Sequence, residues 1–171
     1  MDLLDFTRIR LEPREVKIQP VDLTRAAYDS VATVRPYAIQ MEVSIDVIQN
    51  AEAVIMADPD DIAIIFNNLI SNAVKYNVRG GKVEITIDKT DSDAIIIFSD
   101  TGIGIRPEDM PGLFTEFVRI KRDETKEITG SGLGLSIVKK VTDLYKGSIL
   151  VESNPGKGTI FTVRLPEKQN I

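Results

Sequence analysis

Hydrophobic positions recur along this 171-residue chain with two different periods, and each period predicts a different kind of element. Residues 60–76 place apolar side chains three and four positions apart, which is the spacing of a helix that buries one face. Residues 82–88 instead alternate apolar and polar positions, and an apolar run at residues 94–99 follows a short turn. This second pattern predicts an antiparallel β-hairpin.

Capping residues indicate where two of the helices begin. Asp22 has the side chain of a helix N-cap and predicts a helix through about Arg35. Asp58 does the same for the helix at residues 60–76, with Pro59 at the first helical position, where the missing N–H costs nothing. The remaining pattern predicts a helix at residues 133–146 and strands at residues 41–47, 53–57, 148–152 and 159–165.

Together these elements predict an α+β fold. We expect a two-layer sandwich in which a mixed, mostly antiparallel sheet of five to six strands carries three helices on one face. Residues 106–129 have weak periodicity and many charges. A loop of this length in a small domain often serves as a mobile lid over a site.

Composition narrows the class of protein. The net charge of −5 and a pI near 4.9 argue against binding to nucleic acid or to an anionic membrane, since both need a basic surface. No apolar run approaches the roughly 18 residues of a membrane span, and the first residues lack the basic start of a signal peptide, so we expect one soluble domain. The absence of Cys and His excludes disulfides, thiolate metal sites and the commonest general base.

Two glycine-punctuated segments carry the first candidate chemistry. Residues 100–105 (DTGIGI) follow an apolar strand, and residues 130–135 (GSGLGL) lead into the last predicted helix. Glycines at alternate positions allow backbone N–H groups to approach a ligand closely, and such turns beside a helix start bind anions. A plain tight turn would explain either segment alone, so the nucleotide hypothesis depends on what surrounds them.

A polar stripe on the helix at residues 60–76 is the second candidate. Asn68, Asn72 and Lys75 have i, i+4, i+7 spacing and fall on one side of the helix. Any helix on a surface has a polar side, but two Asn are less expected because Asn is a poor residue inside helices. Asn oxygens can ligate Mg²⁺ and Lys can contact phosphate, so the stripe is compatible with a magnesium nucleotide.

Five segments, in order and spacing, resemble the conserved boxes of the catalytic ATP-binding domain of sensor histidine kinases. They match the N box, the first glycine box, the F box, and the second and third glycine boxes, at residues 68–76, 100–105, 113–119, 130–135 and 156–161. The resemblance implies the Bergerat ATP-binding sandwich shared with gyrase-type ATPases. It also implies that residues 20–171 form the ATP-binding domain, and that residues 1–19 are the tail of a dimerisation helix and a linker.

The resemblance implies a role for several side chains. Asp100 resembles the carboxylate that accepts a hydrogen bond from the adenine amino group, although an Asp at a strand end beside a turn is also common. Asn72 resembles the Mg²⁺ ligand, with Asn68 beside it on the phosphates or the metal shell. Lys75 then contacts phosphate, and the Tyr76 ring lies beside the adenine.

The resemblance places the remaining nucleotide contacts in the glycine segments, on the lid and in the last strand. Arg119 resembles the F-box arginine that reaches the γ-phosphate. The other expected contacts are Gly102, Ile103, Gly104, Ile105, Gly130, Ser131, Gly132, Leu133, Gly134, Leu135 and Thr159. Phe114 and Phe117 are expected mainly to pack the base of the lid.

The implied activity is transfer of the γ-phosphoryl group of Mg-ATP to a histidine. Where the ATP-hydrolysing and serine-kinase branches of the superfamily carry a Glu four residues before the metal-binding Asn, this chain has Asn68, so no base for water or serine is evident. With no His in the chain, the phosphoacceptor must lie on a separate dimerisation domain. The chain by itself is therefore expected to bind ATP without autophosphorylation.

Two alternatives stay open: a regulatory or degenerate nucleotide-binding module, and a gyrase-like or chaperone-like ATPase. The resemblance implies ATP and Mg²⁺ as ligands, and as partners the histidine-bearing domain and the receiver domain of a response regulator. It implies neither nucleic acid nor direct membrane contact. We expect a cytoplasmic location, whether or not the parent protein is membrane-anchored, and a monomeric chain.

Overall fold

The computed structural model describes residues 15–117 and 131–167. Three α-helices lie in this part of the chain: α1 (Leu23–Gln40), α2 (Pro59–Lys75) and α3 (Gly134–Leu144). The strands are β1 (Gln19–Asp22), β2 (Ser44–Gln49), β3 (Val54–Ala57), β4 (Lys82–Lys89), β5 (Asp93–Asp100), β6 (Ser148–Asn154) and β7 (Gly158–Pro166), and a 3₁₀ helix covers Pro107–Gly112.

The strands form two sheets. The main sheet has the order β2-β4-β5-β7-β6, with β2 parallel to β4 and the other pairs antiparallel, while β1 and β3 form a small antiparallel sheet. Helices pack against the main sheet, so the predicted two-layer α+β sandwich with a mixed sheet is confirmed. The β4–β5 register places Val83 opposite Asp100, which brings the end of β5 to the side of the sheet where the β4 strand begins.

The core lies between α2 and the middle strands. Ile85, Ile96 and Phe98 are fully or almost fully buried on the sheet face, and Phe66 of α2 is buried against them. The Phe66 and Phe98 rings meet edge to face, with centroids 5.4 Å apart and an interplanar angle of 67°. This contact holds the helix that carries the Asn stripe against the strand that ends at Asp100.

Both predicted helix caps are confirmed. The Asp22 side chain accepts a hydrogen bond from the Arg25 N–H at 3.1 Å, and Asp58 accepts one from the Asp60 N–H at 2.9 Å. Pro59 occupies the first position of α2, where no intrahelical partner for an N–H exists.

One strand and two element boundaries differ from the sequence prediction. The prediction missed β1, because it is short and polar and gains its structure by pairing with β3. The first helix continues past Arg35 through Pro36, since Val34 and Ala38 stay buried on the inner side while the proline faces solvent. The strand predicted from residue 41 begins only at Ser44, because the backbone first leaves the helix with a positive φ of 55° at Glu42.

The predicted lid is described in part. Its first section contains the 3₁₀ helix at Pro107–Gly112, whereas residues 118–130 lie outside the described residues. The helical tail predicted near the N-terminus, at residues 1–14, also lies outside them.

We predict that Phe66→Ala lowers the free energy of unfolding by about 3–5 kcal/mol, because it removes a fully buried ring and leaves a cavity beside Phe98. Leu150→Ala is the control, since Leu150 is 57% exposed on the outer side of β6 and should change stability by less than about 0.5 kcal/mol. Urea denaturation followed by circular dichroism measures both. Equal effects of the two substitutions would contradict this placement of the core.

Candidate functional site

The Asn stripe of α2 faces neighbouring structure rather than open solvent. Asn68 is only 6% exposed, and its Nδ2 donates to the Ile64 carbonyl at 2.8 Å, which leaves Oδ1 to face away from the helix. Asn72 and Lys75 are half-buried on the same side. An Asn that is costly inside a helix is therefore held with its amide oxygen directed at a neighbouring segment.

That neighbouring segment is the start of α3. A Cβ added to Gly134 would lie 2.6 Å from Asn68 Oδ1 and 4.0 Å from Asn72 Nδ2. A Cβ here would force the Asn68 side chain to shift, so glycine is what lets the first turn of α3 approach Asn68 as it does, while the distance to Asn72 is an ordinary contact. The second glycine segment and the N-box helix thus meet at Gly134.

The start of α3 has the features of an anion site. Leu133 occupies the N-cap without a side-chain capping bond, and no acidic residue lies in the first turn. The first N–H groups of a helix have no intrahelical partner and carry partial positive charge. The helix start and the Asn72 Nδ2 beside it favour a phosphate group, whereas the Asn68 oxygen beside them is an acceptor and suits a cation.

Asp100 is the last residue of β5, and its two oxygens have different surroundings. Oδ1 accepts hydrogen bonds from the Gly102 N–H at 2.8 Å and the Thr159 N–H at 3.2 Å. No described residue donates to Oδ2. Burial raises the pKa of the Asp100 carboxyl to about 6, although the two backbone hydrogen bonds lower it. One fixed oxygen and one available oxygen suit recognition of a single donor.

The first glycine segment is fastened to the C-terminal end of α2. The Ile103 N–H donates to the Tyr76 carbonyl at 3.0 Å, and a Cβ on Gly102 would lie 2.3 Å from the same carbonyl oxygen. Tyr76 is the C-cap of α2, and the Lys75 ammonium lies 5.6 Å from the centre of its ring. Asn68 and Tyr76 are eight residues apart on the helix, so the two glycine segments contact α2 roughly 12 Å from each other.

The other side of this segment contacts the turn between β6 and β7. The Gly156 N–H donates to the Ile103 carbonyl at 2.8 Å, and the Ile105 N–H donates to Ser153 Oγ at 2.8 Å. Ser153 Oγ also donates to the Gly158 carbonyl at 2.9 Å. Thr159, the second residue of β7, is 6% exposed and lies beside Asp100.

Sequence reasoning missed three polar residues whose hydrogen bonds fix the first glycine segment and its flanks: Asn77, Thr101 and Ser153. Asn77 Nδ2 donates to the carbonyls of Ala73 and Lys82, both at 3.1 Å, and its Oδ1 accepts from Thr101 Oγ1 at 3.2 Å. Asn77 directly follows the N box, but nothing local in the sequence distinguishes it from a loop Asn. Its role becomes visible only when β4 and β5 are placed beside it.

The predicted site residues divide into two groups. In the first group, Gly134 meets Asn68 and Asn72 on α2, and Gly102 and Ile103 meet Tyr76 at its C-cap, one residue after Lys75. Gly104 and Ile105 contact the turn between β6 and β7, and Asp100 pairs with Thr159. Ser131, Gly132, Leu133 and Leu135 lie next to Gly134 in the chain, and the described contacts do not join them to α2. Arg119 and Gly130 lie outside the described residues. At the base of the lid, the Phe117 N–H donates to the Gly132 carbonyl at 3.1 Å, and the Phe117 ring is 63% exposed.

Residues 15–117 and 131–167 contain no group of three or more His, Cys, Asp or Glu side chains that could hold a metal. The amide oxygens of Asn68 and Asn72 are oxygen donors of the kind Mg²⁺ accepts. Two amides leave most of the six positions of a magnesium ion to water and phosphate, which is the usual arrangement in nucleotide sites.

A comparison with known protein families shows which family this chain belongs to. The family described as histidine kinase-, DNA gyrase B- and HSP90-like ATPase matches residues 57–169. The chain belongs to this family. More narrowly, it is a histidine kinase ATPase domain of the kind found in two-component sensor kinases.

Relatives of known name support the narrower assignment. The circadian input-output histidine kinase CikA of Synechococcus elongatus is 33% identical over 171 residues, which is 98% of this chain and 22% of CikA. The sensor histidine kinase RppB of Synechocystis is 45% identical over 100 residues, or 58% of this chain and 22% of RppB. The histidine kinase ATPase domain thus spans about a fifth of the length of these relatives.

Solved structures agree in fold. Full-length ShkA in complex with AMPPNP superposes with a TM-score of 0.83 at 26% identity, covering 98% of this chain and 35% of ShkA. The mycobacterial sensor histidine kinase MprB superposes with a TM-score of 0.77 at 26% identity, covering 90% and 99% of the two chains. Within the described residues of the histidine kinase domain, no helix has the length and apolar character needed to cross a bilayer.

We predict that Asp100→Asn stabilises the domain above pH 6 and changes little near pH 4. The pKa of about 6 in the folded state exceeds the ordinary value of 3.8 for this carboxyl. The folded state therefore binds more protons between pH 3.8 and about pH 6, and the stability of the unchanged protein falls as pH rises through this range. Asn retains an acceptor for the Gly102 and Thr159 N–H groups without the buried charge. The gain at pH 7 should be at most roughly 2–3 kcal/mol.

Thermal unfolding of both proteins from pH 4 to pH 8 measures this difference. Asp91→Asn, on the exposed turn at the far end of the same hairpin, is the matched control and should show no comparable trend. A stability difference between Asp100→Asn and the unchanged protein that stays constant across this range would show that Asp100 is not a buried acid.

Proposed function

We propose that the domain binds Mg-ATP along the C-terminal half of α2 and donates its γ-phosphoryl group to a histidine on a separate domain. One observation carries the proposal: both glycine segments pack on this helix, Gly102 at its C-cap and Gly134 at Asn68. A base recognised at one contact and phosphates held at the other would span the distance between them. The nucleotide analogue named for the full-length ShkA complex is consistent with such a ligand.

Asp100 selects the base in this proposal. Its Oδ1 is held by two backbone N–H groups, so the orientation of the carboxylate is fixed before a ligand arrives. Oδ2 is then the acceptor for an exocyclic amino group, which adenine has at the position where guanine has a carbonyl. Protonation of Oδ2 below about pH 6 would turn the acceptor into a donor and weaken binding.

The phosphates lie at the start of α3 in this proposal. Backbone N–H groups of the first turn and the Asn72 amide would supply donors there, and the Lys75 ammonium, about two turns further along α2 from Asn68, would reach the phosphates from the base side. Mg²⁺, held by Asn72 with Asn68 beside it, would neutralise charge on the phosphate oxygens. The protein contributes positioning and electrostatic stabilisation, which are the main requirements of phosphoryl transfer.

The acceptor must come from outside this chain, which contains no His. A neutral imidazole is nucleophilic near pH 7, so transfer to it needs no protein base. Asn68 stands where the hydrolytic branches carry a Glu, which disfavours rapid attack by water. We therefore infer a histidine-bearing dimerisation domain as the first partner and a receiver domain as the second, with residues 1–19 as the tail and linker that join them to residues 20–171.

The remaining assignments follow from the same proposal. The domain acts in the cytoplasm, where ATP is available, and is monomeric by itself. A complex of the kinase ThkA with the response regulator TrrA shares the fold at 21% identity and a TM-score of 0.78, which is compatible with a receiver partner.

We predict that Asp100→Asn weakens ATP binding about 10- to 100-fold and narrows the preference for ATP over GTP. The Asn keeps its oxygen on the two backbone N–H groups, so its Nδ2 replaces Oδ2 and meets the adenine amino group donor to donor. Isothermal titration calorimetry with both Mg-nucleotides measures the change. Asp91→Asn should bind like the unchanged protein, and an Asp100→Asn variant with full ATP affinity would contradict the proposed base recognition.

A transfer assay tests the reaction. The isolated chain with radiolabelled ATP should acquire no phosphate, whereas joining it to the histidine-bearing domain of its own full-length protein should give acid-labile phosphohistidine. Asn72→Ala should reduce the rate of labelling at least tenfold, because it removes an oxygen donor from the metal shell. Rapid ATP hydrolysis by the chain alone would favour the ATPase alternative instead.

A further inference from the structure

A buried tyrosine connects the C-terminal end of α3 to the N-terminal end of α2. This contact lies at the opposite end of α3 from the proposed phosphate site. Tyr145 is the C-cap of α3 and is 0% exposed. Its hydroxyl donates to Asp61 Oδ2 at 2.7 Å and accepts from the Asp58 N–H at 3.0 Å. Asp61 and Asp58 are 2% and 5% exposed, so this group of hydrogen bonds is almost completely shielded from water.

Asp58 extends the same group of hydrogen bonds to the segment before β1. One carboxylate oxygen caps α2 through the Asp60 N–H at 2.9 Å, and the other accepts from the Lys17 N–H at 3.0 Å. Lys17 lies two residues before β1. Asp58 and Tyr145 thus connect the segment at Lys17, the start of α2 and the end of α3.

Helix α3 is therefore held against α2 at both of its ends. The two helices run antiparallel, because the start of α3 contacts Asn68, in the middle of α2, while its end contacts Asp61, in the first turn of α2. The 11 residues of α3 rise roughly 16 Å between these contacts. Gly134 approaches Asn68 by close packing alone, whereas the Tyr145 end is held by directed hydrogen bonds. The apolar side chains of Ile137, Val138 and Val141 bury α3, and the hydrogen bonds at its far end add directed contacts that limit its movement along α2.

We propose that Tyr145 is a positioning residue: with Asp58 and Asp61 it fixes α3 along α2, and it couples the affinity for nucleotide to the placement of the segment at Lys17. This inference rests on the proposed function, since it assumes that the start of α3 and the Asn68 side of α2 hold the phosphates. A small displacement of α3 would move its first N–H groups away from the amides and weaken their joint contact with a phosphate.

The chemistry of the site supports a specific need for the hydroxyl. Burial raises the pKa of Tyr145, and Asp61 raises it further, so the hydroxyl remains protonated and remains a donor. A phenylalanine would fill the same volume but would leave the Asp61 oxygen and the Asp58 N–H without this partner. Because coupling between two sites is reciprocal, nucleotide binding must also stabilise the Lys17 hydrogen bond.

The first experiment compares Tyr145→Phe with a control of similar stability. Tyr145→Phe should weaken Mg-ATP binding about fivefold in calorimetry, which lies within the usual range of coupling between sites. Ile87→Val removes a methylene from a fully buried strand residue away from α3 and should lower the unfolding temperature without changing affinity. If the two variants lose stability alike and both retain full affinity, the positioning role is wrong.

The second experiment tests the connection between Asp58 and the segment at Lys17. Lys17→Pro removes the N–H that contacts Asp58 and should weaken Mg-ATP binding about threefold, within the same range of coupling. Combined with Tyr145→Phe it should add no further loss, because both changes interrupt one connection. Val16→Pro is the control, since the Val16 N–H donates to no described residue, and it should leave affinity unchanged.

A third measurement needs no variant to fold correctly. Amide hydrogen exchange at Lys17 in the unchanged protein should slow at least threefold when Mg-ATP is saturating, with no change at Val16. Unchanged exchange at Lys17, or additive losses in the double variant, would overturn the coupling while leaving the proposed nucleotide site intact. Absence of Mg-ATP binding by the unchanged protein would instead refute the proposed function itself.

Discussion

The close contact between α2 and two glycine positions is the constraint on which the site depends. Gly102 meets the backbone carbonyl of Tyr76 at a separation that a Cβ would not tolerate, and Gly134 meets the side-chain oxygen of Asn68 so closely that a Cβ would displace it. These contacts set the distance between a carboxylate at the end of β5 and a helix start that favours phosphate. The rest of the fold, from the Phe66–Phe98 contact outward, keeps α2 where both contacts can form.

Several residues of the site are placed at some cost to stability. Asp100 is a partly buried carboxylate whose pKa is raised to about 6, and Asn68 is a buried amide within a helix. Neither residue favours folding. Burial disfavours the charged form of the Asp100 carboxyl, and Asn is a weak helix former. The apolar core between the helices and the main sheet offsets these two costs.

Much of the architecture could be predicted from local sequence signals. The β4–β5 hairpin, helix α2 and the caps at Asp22 and Asp58 each depend on residues within one element and its flanks. Strand β1 could not be predicted, since its structure comes from pairing with β3 rather than from its own pattern. The polar contacts of the site show the same limit: Asn77 bonds Thr101 across 24 positions, and Tyr145 bonds Asp61 across 84.

The amino-acid sequence by itself determined the elements, the spacing of the five boxes and the types of side chain available for chemistry, because periodicity, capping and glycine content are local properties. Only the tertiary structure decided that Asp100 keeps one oxygen available, that Asn68 faces the start of α3, and that Tyr145 connects both helices to Lys17. These arrangements depend on the packing of segments far apart in the chain, where burial and hydrogen bonding fix distances that no short stretch of sequence encodes.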